Sequence, residues 1–184
     1  MTRVYLVRHC RTSGQAPDAP LTAEGETQAI LLADFLAPLG IDRVVSSPFT
    51  RAIGSIAPLA ERLRLSIETN PRLAERVLCT EQLDDWDTHY RATYDDYDLA
   101  LPGGETSRAA ISRGAAAIED ILRDSDRSSV AVTHGNLLSL LLGHYGFHRG
   151  GSAGYDTWRA LTNPDVFRLQ RNGRRTTVER IWRP

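Results

Sequence analysis

Arg8 and His9 stand together directly after an apolar run, Val4–Val7, and that placement is the first chemically suggestive feature of the chain. A second histidine, His134, follows another apolar run and precedes Gly135, which lets the backbone turn tightly. Arg51 falls one turn into a predicted helix whose start carries Ser46 and Ser47. Two arginines and two histidines gathered beside helix N-termini make an anion pocket. Free backbone N–H groups and the helix dipole attract phosphate there, and guanidinium groups grip it bidentately. Taken singly, a strand-end histidine or an arginine near a helix start is usually structural or solvated. The inference needs all four at one sheet edge.

The elements that would bring them there can be read from periodicity. Val4–Val7, Arg43–Ser46, Ser66–Thr69 and Ser129–Val132 read as strands, and Val166–Leu169 and Thr177–Trp182 as a closing hairpin through Asn172-Gly173. Helical spacing appears over Gln28–Leu36, from Ser47-Pro48 to Leu63, over Ser107–Leu122 and over Asn136–Tyr145. Pro58 predicts a kink or break in the second of these. Alternating strands and helices imply an α/β three-layer sandwich, its central sheet mostly parallel with an antiparallel edge and helices on both faces. Ligands in such sheets bind beyond the carboxyl ends of the strands, where Arg8-His9, Ser46–Arg51 and Thr133–Gly135 all fall. Residues 76–103, acidic and aromatic with no clear period, read as an excursion forming a solvated cap over that pocket.

Composition narrows the classes. The 184 residues suit one domain, 1–184. All 22 basic side chains are arginine against 23 acidic ones, a net charge of -1. That balance argues against nucleic-acid binding, which needs a basic excess or stripe. No apolar stretch is long enough to span a bilayer. Cys10 and Cys79 form neither a disulfide framework nor a zinc spacing, and the start lacks a signal-peptide pattern, so the expected compartment is cytoplasmic.

Several runs carry a family resemblance. Val7-Arg8-His9-Cys10-Arg11-Thr12 resembles the Arg-His-Gly signature of the histidine phosphatase superfamily, the phosphoglycerate-mutase-like enzymes. Pro20-Leu21-Thr22 with Gly25 and Gln28-Ala29, Ser46–Ala52, Arg72-Leu73-Ala74-Glu75, Pro102–Thr106 and Val132–Asn136 are similar to its later segments, in order. The resemblance implies that His9 attacks phosphorus to form a phosphohistidine, an easier two-step route. It implies further that Arg8, Arg51, His134 and Gln15 hold phosphoryl oxygens, and that Glu75 serves as acid and base. No metal or cofactor is implied, because the arginines and the histidine would supply the positive charge. The expected partner is a small phosphorylated substrate, with a homodimer left open.

Departures from the pattern bound this reading. Cys10 takes the usual glycine position, where positive φ would strain it and its thiol would lie beside the pocket. Gln15 stands where an asparagine is common. Glu75 has alternatives in Glu81, Asp84, Asp85 and Asp87, while Glu105 and Arg113 read as structural. The leading expectation is a phosphomonoester hydrolase. The alternatives are a phosphoglycerate-type mutase, disfavoured because the resembling mutases are longer, and a catalytically silent phospho-ligand binding protein, for which Cys10 is the main support.

Overall fold

A computed structural model describes residues 2–123, 127–173 and 175–184. Strands β1 (Thr2–Arg8), β2 (Arg43–Ser46), β3 (Ile67–Thr69), β4 (Ser128–Thr133), β5 (Asp165–Asn172) and β6 (Arg175–Trp182) form one sheet in the order β3-β2-β4-β1-β5-β6. The first four are parallel, and β5 and β6 add the antiparallel edge. Successive strand residues face opposite sides and so feed two cores. Tyr5, Val7, Val44, Val130 and Val132 pack under α1 (Ala23–Leu36) and α2 (Thr50–Leu63). Val4, Leu6, Val45, Ala131 and Phe167 pack under α4 (Ser107–Arg123) and α5 (Gly135–His144). The three layers and the mixed sheet are those the sequence implies.

Register places the site. Arg8 pairs with Thr133, and Ser46 with Val132, so β1, β4 and β2 end together. The ladder runs one residue further, His9 N–H donating to Thr133 O at 3.0 Å and Ser47 N–H to Val132 O at 2.9 Å. Both histidines and the approach to α2 therefore leave the sheet at one edge.

Several boundaries differ from expectation. α1 begins at Ala23 rather than Gln28, because Thr22 caps it, its hydroxyl accepting from Gly25 N–H at 3.0 Å. α2 begins at Thr50 with Phe49 at the cap, not at Ser47-Pro48; Ser47 Oγ instead lies 2.7 Å from His134 Nε2. Pro58 does not end α2. It forgoes one backbone bond, while buried Ala52, Ile56 and Leu59 hold the helix to the sheet. Residues 76–103 include a helix, α3 (Trp86–Asp95), which packs on α6 (Gly151–Arg159). No pattern announces α6: its start is glycine-rich and its buried residues are only Gly154 and Tyr155.

Gly25 also fixes the segment after His9. A Cβ there would lie 2.0 Å from the backbone oxygen of Arg11. Gly→Ala in a helix ordinarily gains about 1 kcal/mol. Gly25→Ala is instead expected to lower unfolding free energy by about 1–3 kcal/mol, the usual cost of forced overpacking. Urea denaturation checks this; a variant as stable as the parent would show that the 11–22 segment is not seated on α1.

Candidate active site

His9 is buried, and its two ring nitrogens have different tasks. Nδ1 lies 2.7 Å from the backbone oxygen of Cys10, which can only accept, so Nδ1 carries the proton. Nε2 then bears the lone pair, and Arg51 Nε donates to it at 3.3 Å. Burial, reinforced by the Arg51 and Arg8 charges, lowers the His9 pKa from 6.5 to about 3. A neutral imidazole of fixed tautomer thus offers an unprotonated nitrogen beside a cation.

The surrounding cations are held by oxygens that do not neutralise them. Arg8 Nη1 donates to the backbone oxygens of Leu161 at 2.8 Å and Thr162 at 3.4 Å, and its buried Nε has no partner among the described residues. Gly135 makes room for it: a Cβ there would lie 3.1 Å from Arg8 Nε. Arg51 Nη1 spans the backbone oxygens of Ala16 at 2.8 Å and Gln15 at 3.2 Å, and its guanidinium lies 4.8 Å from the Phe49 ring centre. The His134 ring centre is 5.1 Å from that of His9. Its Nδ1 is buried without a partner among the described residues, and burial pushes its pKa well below 6.5. The pocket's positive charge therefore rests on arginine alone, whereas the sequence expectation counted the histidine as well.

Glu75 faces these groups from the loop after β3. Its carboxylate accepts from the N–H groups of Asn136 and Leu137, each at 3.0 Å, and of Arg76 at 2.9 Å. The first two are free donors in the first turn of α5, so an anion already sits where the helix dipole favours one. Arg113 holds this loop by donating to the backbone oxygens of Arg72 and Ala74 while pairing with Glu105, a structural use of both residues. Among the carboxylates weighed from sequence, Glu75 alone lines the cavity containing His9. Asp87 borders a neighbouring cavity.

Cys10 is not strained. The non-glycine residues with positive φ among those described are Arg64 and Asp85. Cys10 N–H donates to Ser55 Oγ at 2.7 Å, and its side chain packs in the core under α1 and α2. Burial raises the thiol pKa to about 11, so the group is not the reactive neighbour its position suggested. Gln15 is exposed at the cavity mouth, where its side chain remains uncommitted and its backbone serves Arg51.

The cavity holds about 550 Å³. Sequence reasoning missed several of its walls. Asn163 donates from Nδ2 to His9 O at 2.7 Å across 154 positions of chain, and Trp158 comes from the unpredicted α6. Tyr90 accepts from Asn136 Nδ2, tying α3 to the start of α5. Trp86 and Tyr90, from the acidic and aromatic excursion expected to cap the pocket, both line the cavity.

The family model of the histidine phosphatase superfamily, branch 1, matches residues 4–182. The chain belongs to this superfamily. A probable phosphoglycerate mutase of Enterobacter sp. is 31% identical over 158 residues, 77% of this chain and 74% of that one. Among solved structures, a mycobacterial glucosyl-3-phosphoglycerate phosphatase with inorganic phosphate superposes with TM-score 0.77 at 25% identity, covering 98% of this chain and 96% of that one. A phosphoserine phosphatase variant from Entamoeba histolytica shares the fold, with TM-score 0.80 at 16% identity over 97% and 95% of the two chains. Among the described residues no helix is long and apolar enough to cross a membrane.

The buried neutral histidines couple folding to pH in this superfamily member. Between about pH 3 and 6.5 the unfolded chain binds a proton at His9 that the folded chain excludes, and His134 acts in the same sense. Stability is therefore full above pH 6.5 and falls as pH drops, by about 1.4 kcal/mol per pH unit for each histidine once below it. Urea unfolding between pH 5 and 6.5 should show this slope. His9→Ala should remove about one proton from it; an unchanged slope would mean that His9 is charged in the fold.

Proposed function

We propose that this protein is a phosphomonoester hydrolase acting through a phosphohistidine intermediate on a small phosphorylated metabolite. The observation that carries the reading is His9 itself: Nδ1 protonated by its tie to Cys10 O, Nε2 unprotonated with only a long contact from Arg51 Nε that an entering phosphoryl group can displace, and two guanidiniums beside it. Phosphoryl transfer needs little more than positioning and charge stabilisation, which this arrangement supplies. Nε2 attacks phosphorus in line while the P–O bond to the alcohol breaks. Arg8, Arg51, His134 and Gln15 hold the other oxygens. Near neutrality part of the substrate carries a phosphate proton (second pKa about 6), and Glu75 passes that proton to the departing oxygen. Glu75 then takes a proton from water, whose oxygen bonds to phosphorus as the P–N bond breaks.

The names of the structural neighbours, phosphatases for glucosyl-3-phosphoglycerate and phosphoserine, support a monoester substrate. The mutase name carried by relatives near 30% identity makes phosphoglycerate isomerisation the second reading. Cys10, which had favoured a silent binding protein, packs in the core without altering His9. Both cysteines are free thiols, which suits a cytoplasmic location.

Phosphate release from p-nitrophenyl phosphate tests the reading. His9→Ala is expected to lower kcat at least about 10³-fold and to abolish an acid-labile, base-stable phosphoenzyme. Arg51→Lys should cost about 10²-fold. In kcat/KM, which reports phosphoenzyme formation, Glu75→Gln should cost about 10²-fold with alkyl esters and far less with p-nitrophenyl phosphate, whose leaving group departs without a proton; loss of the base role should lower kcat for both. Interconversion of phosphoglycerates with no release of phosphate would favour the mutase instead.

A further inference from the structure

A phosphoryl group at His9 fills only one end of the cavity, whose roughly 550 Å³ is the size of a site for a drug-sized ligand (about 300–1,000 Å³). Leu78, Trp86, Tyr90 and Trp158 bound the remainder. The three rings form a continuous wall, with centres 4.4 Å apart for Tyr90 and Trp158, 5.4 Å for Trp86 and Tyr90, and 6.1 Å at 90° for the two tryptophans. Trp86, the first residue of α3, stays 48% exposed, an uncovered indole at the opening of an anion site.

The polar side chains along the cavity are mostly engaged already. Arg11 gives Nη1 to Glu24 in a solvent-exposed pair, and Thr12 Oγ1 donates to the backbone oxygens of Gly14 and Pro20. Arg76 donates to Glu105 O, Thr93 Oγ1 and Ser107 Oγ, and its remaining Nη2 is shut off from solvent. The Tyr90 hydroxyl is held between Asn136 and Tyr94, and Asn163 Nδ2 serves His9 O. Beyond the phosphate, among the described residues, Gln15 offers a wholly uncommitted side-chain amide, Asn163 offers only its acceptor oxygen, and the unpartnered Asn136 Oδ1 is shut off from solvent. A sugar or hydroxy acid entering here would lose water without regaining hydrogen bonds, at about 1–3 kcal/mol per stranded group. An aromatic ring would meet π faces in the offset and edge-on geometries such rings prefer.

We infer that the alcohol half of the substrate carries an aromatic or flat apolar ring lying against Trp86 and Trp158, and that polyhydroxylated and carboxylated esters react poorly. The inference rests on the phosphoryl site proposed at His9. It runs against the sugar and glycerate chemistry in the names of the relatives.

Alkyl esters of similar leaving-group ability separate ring recognition from intrinsic reactivity. For 2-phenylethyl phosphate, kcat/KM should exceed that for ethyl phosphate, glycerol phosphate and 3-phosphoglycerate by at least about tenfold. Trp86→Ala and the milder Trp86→Leu should each reduce the phenylethyl-to-ethyl ratio severalfold or more. Equal rates across the series, preference for glycerol phosphate or 3-phosphoglycerate, or an unchanged ratio in the variants would each overturn the inference. If no ester turns over, the hydrolase reading fails by itself. Calorimetry with 2-phenylethylphosphonate against ethylphosphonate then decides the ring site: tighter binding of the former, lost in Trp86→Ala, sustains it, and equal affinity overturns it.

Discussion

Guanidinium groups buried without ion-pair partners govern this molecule. Arg51 and Arg76 are buried and Arg8 half-buried, yet carbonyls and hydroxyls hold all three, and among the described residues none forms a salt bridge. Elsewhere the fold pairs its arginines with carboxylates, as in Arg113 with Glu105 and Arg171 with Glu119. Dipoles stabilise a buried cation without cancelling its charge, so the pocket remains positive. That field, added to burial, keeps His9 and His134 deprotonated. A positive pocket and an unprotonated His9 thus follow from one arrangement. Among the described residues Glu75 is the single carboxylate lining the cavity, and it rests on the N-terminus of α5, where the dipole favours it.

Outer contacts make that arrangement rigid. Ser55 holds the backbone of Cys10, Asn163 the backbone of His9, Ser47 the ring of His134, and Arg113 the loop bearing Glu75. Asn163 is also part of the cavity wall, whereas Ser47, Ser55 and Arg113 stand behind it, and each of the four fixes a group that lines the cavity, faces it or adjoins one that does. Because β1, β4 and β2 end in register, a few such bonds position residues from four distant segments.

What was legible in the sequence follows from the range of the interactions. Apolar runs report strands buried on both faces, so β1, β2 and β4 were readable, and with them the edge where Arg8, His9 and His134 emerge. Bonds spanning more than a hundred residues leave no local trace. Asn163 under His9 and Trp158 in the cavity wall were invisible for that reason, and α6 offered too narrow an apolar face to announce itself. The start of α2 misled because Ser47 has cap chemistry, but its Oγ accepts from Phe49 N–H ahead of the helix and pairs with His134 rather than capping the first turn. Cys10 looked anomalous only on the assumption that its backbone needs glycine, and the strand leading into it requires no positive φ.

The lysine-free composition separates into two cases on the same physical grounds. On the surface Arg11, Arg62, Arg108 and Arg168 pair with exposed carboxylates, contacts worth little in which an ammonium would serve nearly as well. Arg51 is different. Its Nε points to His9 Nε2 while its Nη1 spans two backbone oxygens of the 11–22 segment. One rigid plane thereby fixes His9 and the loop relative to each other. A lysine carries its donors on a single nitrogen at the end of a flexible stem, so it could hold either contact and would leave the other to drift. The uniformity of the basic residues is thus inert over most of the chain and becomes a chemical requirement where a guanidinium must act in two directions at once.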